Sequence, residues 1–184
     1  MPYYHCSPTP GLTTLEPRRP AIFRKEPRVY MTTLLPMALM YGIQNFEYTY
    51  GYTKEGQIYL AEYFPNALEI LYRGHAASLY LCAPGATDTT KIPNEVTSPE
   101  PVAVLQEIRI PDLCEALLEQ ERLGQLEIRR YDTLPQKGLD WILRTEADCI
   151  QEYDALHQEG PMADYYRTHY PASWELALQK QNTL

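Results

Sequence analysis

His5, Tyr30, Tyr41 and Glu95 are the residues whose types and settings could carry chemistry in this 184-residue chain. His5 sits in Tyr3-Tyr4-His5-Cys6-Ser7, a short extended run closed by a Ser-Pro turn. A neutral imidazole where a strand surfaces can hydrogen-bond a sugar hydroxyl while the backbone fixes its other nitrogen. Tyr30 and Tyr41 lie eleven residues apart across a strand-to-helix turn, a spacing at which two rings could face each other about a flat heteroaromatic ligand. Glu95 stands in Pro93-Asn94-Glu95-Val96, ahead of a strand that follows Pro101. A carboxylate aimed into a pocket can hold a ribose hydroxyl and stabilise an oxocarbenium-like transition state as a glycosidic bond breaks. Each residue also has a plainer reading. His5 fits an ordinary core or surface position, the two tyrosines fit anchors of a helix on a sheet, and a glutamate at a strand start is usually solvated. Glu127 is the competing carboxylate and Glu62 a third. Cys6 beside His5 makes no nucleophile–base pair, because strand neighbours point to opposite faces.

The elements that must position these residues follow from periodicity. Residues 3–7 and 28–33 read as strands, and Leu34-Leu35-Pro36-Met37-Ala38-Leu39-Met40-Tyr41-Gly42 as a buried helix with proline in its first turn and glycine at its stop. Residues 46–53 and 57–63 form the clearest hairpin about Lys54-Glu55-Gly56, with Phe46, Tyr48, Tyr50 and Tyr52 on one face. A short helix over 65–72, strands over 78–83 and 102–110, an amphipathic helix over 112–122 and a strand over 126–131 come next. Residues 138–159 and 162–180 read as helices interrupted by Gly160-Pro161 and Pro171. The segment 18–27, rich in proline and basic residues, reads as a surface loop that could serve as a lid. The class is α+β, with residues 1–134 as one domain and 135–184 as a helical C-terminal extension packed on it.

Composition narrows the function classes. Sixteen basic against twenty-four acidic residues give a net charge of −8 with no basic patch, which argues against nucleic acid as a partner. No apolar run approaches membrane-spanning length and the N-terminus lacks a secretory pattern, so a cytoplasmic protein is expected. Cys6, Cys82, Cys114 and Cys149 show no C-x-x-C pairing or ligand spacing, so free thiols and no metal are expected. Neither a nucleophile elbow nor a P-loop nor a Gly-rich dinucleotide fingerprint is present. Sixteen tyrosines against three phenylalanines suit half-wet clefts and interfaces, or strands with one solvated face.

Taken together, the motifs resemble the ADP-ribosyltransferase superfamily of the His-Tyr-Glu kind, which includes diphtheria-toxin-like enzymes and poly(ADP-ribose) polymerases. Tyr4-His5-Cys6-Ser7 is similar to that family's Y-H-G-[ST] strand, Val29-Tyr30-Met31-Thr32-Thr33 to its second strand, Tyr41 to its second stacking tyrosine, and Asn94-Glu95-Val96 to the site of its glutamate. The likeness covers roughly residues 3–131. The whole run is also similar to a small group of bacterial proteins with the same tyrosine-rich hairpin and a Tyr72-Arg73-Gly74 turn. The resemblance implies a split antiparallel sheet with flanking helices and NAD as substrate. His5 would bind the adenosine ribose, Cys6 and its backbone would approach the nicotinamide amide, Ser7 would also contact NAD, Tyr30 and Tyr41 would flank the nicotinamide, and Glu95 would be the catalytic carboxylate. Two positions depart from the family: Cys6 stands where it has glycine, and Ala38 where the polymerases have serine. The implied function is NAD-dependent ADP-ribosyl transfer to an unidentified acceptor, a protein being one candidate, or NAD hydrolysis. The alternative is a catalytically silent nucleotide-binding or protein-interaction module on the same fold.

Overall fold

The computed structural model describes residues 3–19 and 26–181. Its strands are β1 (Tyr3–Ser7), β2 (Thr14–Leu15), β3 (Val29–Thr32), β4 (Tyr50–Tyr52), β5 (Ile58–Ala61), β6 (Ala77–Ala83), β7 (Asp88–Thr89), β8 (Glu95–Ser98), β9 (Val102–Ile110) and β10 (Glu127–Arg129). The α-helices are α1 (Leu35–Met40), α2 (Ala67–Tyr72), α3 (Leu113–Arg122), α4 (Gln136–Glu152), α5 (Pro161–His169) and α6 (Pro171–Gln181). Seven strands form one antiparallel sheet in the order β2-β9-β6-β1-β3-β8-β7, and three form a second in the order β10-β5-β4. This is the α+β class expected. The lid suggested for 18–27 has its centre, residues 20–25, outside the described residues, while Arg18 and Arg28 bond each other's backbone at 3.1 Å.

The chain divides into two compact units, Met1–Tyr59 with Leu68–Glu127, and Leu60–Ala67 with Ile128–Leu184. In the first, alternation along the strands sorts side chains to two faces. Leu15, Val29, Met31, Tyr80, Cys82, Val96 and Val102 make a buried cluster on one face, with Tyr3 packed against it. On the other face lies α1, whose Pro36, Met37, Ala38, Leu39 and Met40 are all buried. A helix apolar on every side must be covered on every side. α1 packs against β1, β3 and α3, whose Leu113, Cys114 and Leu117 are fully buried. Each of Met37, Leu39 and Met40 contributes about 1.5–3 kcal/mol by leaving water. Asp112 caps α3 by accepting the Glu115 N–H at 3.1 Å and also accepts from Gly74 N–H at 2.8 Å.

One join in the sheet differs from the rest. β1 runs beside β6 from Tyr3 opposite Cys82 to Ser7 opposite Ser78, and β3 beside β8 from Val29 opposite Ser98 to Thr32 opposite Glu95. Among the described residues the single partner pair between β1 and β3 is Tyr4 opposite Thr32. The two halves of the sheet therefore meet at one rung.

The second unit is helical. α4 packs against α6, and α5 against α6, over Ile142, Ala147, Ile150, Ala163, Tyr166 and Ala177. Pro161 and Pro171 open α5 and α6, where a missing N–H costs nothing. Phe64 is buried among the rings of Tyr165, His169 and Tyr170, stacked on His169 at 4.3 Å. Glu62 belongs here too: its carboxylate accepts the Tyr131 N–H at 3.1 Å.

Candidate functional site

The site is built at the corner where β3 turns into α1. The Thr32 hydroxyl oxygen accepts the Leu34 N–H at 3.1 Å and lies 3.2 Å from Met37 Sδ, so it serves both the turn and the first turn of the helix. Beyond Thr32, the Thr33 N–H donates to Asn94 O at 3.1 Å. Asn94 takes a left-handed conformation (φ 64°), and this bend delivers Glu95 directly opposite Thr32. By sequence, Pro93-Asn94-Glu95-Val96 stands ahead of the strand that follows Pro101. Residues 95–98 instead form β8, fully paired to β3, and Glu95 is 9% exposed. The run is too short and polar for composition to reveal it, and the pairing with β3 makes it a strand.

Around Glu95 stand three phenols. Burial is the largest cause that raises the Tyr30 pKa, and the Glu95 charge adds to it. Tyr41 is raised by burial, then by its hydrogen bond to Tyr50, with the Glu95 charge among further causes. For Tyr50 burial again leads; the bond to Tyr41 lowers its pKa and Glu95 raises it. A carboxylate that acts on all three rings lies near all three. Tyr30, Tyr41 and Glu95 are therefore brought to one region by β3, the end of α1 and the head of β8.

Tyr41 is held by the hairpin. Its hydroxyl lies 2.9 Å from that of Tyr50, and its ring lies 4.6 Å from that of Tyr48. Tyr48 donates to Ile43 O at 3.0 Å, and Tyr52 donates to Pro93 O at 2.7 Å. The face expected for Tyr48, Tyr50 and Tyr52 thus exists, although only 50–52 are strand there. Tyr52 fastens the turn that carries Glu95, and Tyr50 fastens Tyr41. These two were not singled out from sequence; the alternating tyrosines were the signal. Gly51 between them leaves room for the Tyr59 ring, whose hydroxyl would stand 2.5 Å from a Cβ.

His5 occupies the opening beside the Tyr4–Thr32 rung. Its Nδ1 is 2.9 Å from Tyr30 O. A carbonyl only accepts, so Nδ1 carries the proton and Nε2 is the acceptor of a neutral ring. Burial lowers the His5 pKa, outweighing the Tyr30 bond that raises it, and keeps the ring neutral. By alternation His5 belongs to the face of Tyr80, its partner on β6, whereas Tyr30 and Glu95 belong to the other. The imidazole meets Tyr30 through the backbone, at the seam.

Cys6 is buried on the sheet face that also carries Tyr30 and Glu95, and its Sγ lies 2.9 Å from where a Cβ on Gly42 would stand. Burial pushes this thiol up to about 12, so it is no nucleophile. The bulk that distinguishes Cys6 from glycine is housed by Gly42. Ser7 accepts the Thr9 N–H at 3.2 Å and shapes the turn after β1. Ala38 is 2% exposed inside α1. Glu127 lies on β10, in the other sheet, and Glu62 in the helical unit.

Among the described residues no helix is long and apolar enough to cross a membrane. Comparison with protein-family models, with curated proteins and with solved structures gave no match for this chain.

Proposed function

We propose that the sheet unit binds NAD and breaks its nicotinamide–ribose bond, as an ADP-ribosyltransferase or NAD glycohydrolase. The observation that supports this is a buried carboxylate, Glu95, set among Tyr30, Tyr41 and Tyr50, with a neutral histidine bonded to the Tyr30 carbonyl at the sheet seam. The residues divide the work. His5 Nε2 accepts a ribose hydroxyl, since Nδ1 is committed to Tyr30 O. Tyr30 and the remaining face of Tyr41 stack on the nicotinamide. As the C1′–N bond breaks, its electron pair leaves with neutral nicotinamide and C1′ becomes an oxocarbenium ion. The Glu95 carboxylate stabilises that cation and holds a ribose hydroxyl in a poorly hydrated setting, where a fixed charge is most effective. Water, or a nucleophile of an acceptor, then bonds to C1′ and releases a proton.

The test is a thermal melt with millimolar NAD together with chromatographic detection of released nicotinamide. A raised melting temperature and nicotinamide release, lost in Glu95→Gln, are expected. Neither shift nor release would overturn the reading. The packing of Tyr48 against Tyr41 favours a second reading, a nucleotide-binding or protein-interaction module without turnover. It predicts the shift without the release.

A further inference from the structure

The seven-stranded sheet ends on an edge that is open for most of its length. β2 covers β9 only at Val102 and Ala103, and Thr13 O takes the Val104 N–H at 3.1 Å. Among the described residues no strand lies outside β9 from Leu105 to Ile110. That stretch is roughly 20 Å of strand. Leu105 is 69% exposed and Ile108 40%, although both are apolar. Open apolar edges are templates for another strand, and proteins ordinarily blunt them with proline, a bulge or inward charge. The bulge on this strand falls at Leu81/Cys82 against Val104–Gln106, and regular pairing with β6 resumes beyond it.

We propose that this edge pairs with the same edge of a second copy of the chain, antiparallel and centred on Ile108. The side-chain order selects that register. Centred on Ile108, Glu107 falls opposite Arg109 of the second copy, Arg109 opposite its Glu107, and Gln106 opposite its Ile110. A centre at Glu107 sets two carboxylates face to face, and a centre at Arg109 two guanidinium groups; like charges directly opposite oppose pairing. The two faces agree with the choice. Glu107 and Arg109 share the face of their β6 partners Tyr80 and Ser78, whereas Ile108 and Ile110 share that of Leu79 and Ala77. One side of the joined sheet thus carries two reciprocal ion pairs, and the other brings Ile108 against its own copy. Within one chain Glu107 accepts from Ser78 Oγ at 2.6 Å and from Gly11 N–H at 3.2 Å. Arg109 donates to Ser78 Oγ at 2.8 Å, so both charges are already held at the edge. A two-fold axis makes the contact self-complementary and closed.

Sedimentation equilibrium of the full chain tests this. An edge of this size buries less than a standard interface, so dimerisation on the order of 10–100 μM is expected. Arg109→Glu alone and Glu107→Arg alone should each weaken it roughly tenfold or more. An equimolar mixture of the two single variants should restore the dimer as a heterodimer, because each carries the charges the other lacks. Ile108→Lys, a change at an exposed position, should abolish association with the melting temperature retained. A wild-type chain that stays monomeric to several hundred micromolar overturns the proposal. So does a dimer indifferent to Ile108→Lys, or single variants that fold yet fail to pair when mixed.

Discussion

The imidazole of His5 donates its Nδ1–H to the carbonyl of Tyr30 over 2.9 Å, at a place where a neighbouring strand would ordinarily supply the donor. Among the described residues β1 and β3 share only the Tyr4–Thr32 rung, and just beyond it a side chain stands in for backbone. The result is a neutral histidine with one nitrogen committed and the other an acceptor, which is the state the proposed ribose contact requires.

That bond has a pH signature. Burial sets the folded pKa of His5 below the ordinary imidazole value of about 6.5, so the unfolded chain takes up the proton first. Stability from this group is complete above about pH 6.5 and falls as the pH drops toward the folded value. Urea denaturation over about pH 5–8 should show the decline, and His5→Gln should remove the His5 part of it. Equal pH slopes for the two proteins would count against the assignment.

Tyr41 and Tyr50 share one hydrogen bond between hydroxyls, at 2.9 Å. Tyr50→Phe should destabilise by about 0.5–1.5 kcal/mol, and Tyr41→Phe similarly. The double variant should lose much less than the sum, since either change alone breaks the bond. A double-mutant cycle in urea measures the coupling.

Glu95→Gln removes a charge that raises three phenols. Ultraviolet titration should show Tyr30, the ring for which Glu95 is the second-largest cause, ionising at lower pH in the variant. The readout does not depend on turnover, so it checks proximity even if the protein is silent. Glu95→Ala is expected to destabilise more than Glu95→Gln, because it leaves a void at the head of β8.

Cys6→Gly should leave NAD affinity unchanged, because the bulk of the thiol is taken up in the space beside Gly42. Its cost is stability, about 0.5–1 kcal/mol for glycine in a strand, plus the cavity left by the sulfur. Gly42→Ala should be destabilising by about 1–3 kcal/mol, because its Cβ would stand 2.9 Å from both Cys6 Sγ and Leu113 Cδ1. Cys6→Gly should recover part of that loss. Calorimetric melts and NAD titrations of the three variants check the set.

Sequence revealed those parts of the fold whose cause is local. The proline-opened α1, the α3 cap at Asp112 and the proline starts of α5 and α6 all follow from residues within one turn. β2 and β8 were not legible, since two polar-flanked residues and a four-residue run become strands only by pairing with β9 and β3. For the same reason the sequence leaves a solvated Glu95 open beside a pocket-facing one, and its burial comes from the chain it meets. Motif order singles out His5, Tyr30, Tyr41 and Glu95, whereas the shared face of Tyr30 and Glu95 and the opposite one of His5 needed the register. The roles of Tyr50 and Tyr52 needed the hydroxyl partners, which alternation alone does not name.

Thr32 is the meeting point of β1, β3, β8 and α1, and this has a consequence for synthesis. The β3–α1 corner can form as soon as it leaves the ribosome, since Thr32 serves Leu34 and Met37 nearby. The strand beside it cannot be secured then. β1 reaches it through one rung, and both β6, which holds β1, and β8, which holds β3, emerge much later. Closing such long loops precedes the contacts that reward it. The nascent N-terminal third would therefore carry an exposed apolar corner until translation passes Arg122, the end of the helix that covers α1, and that interval is when a chaperone would have most to grip.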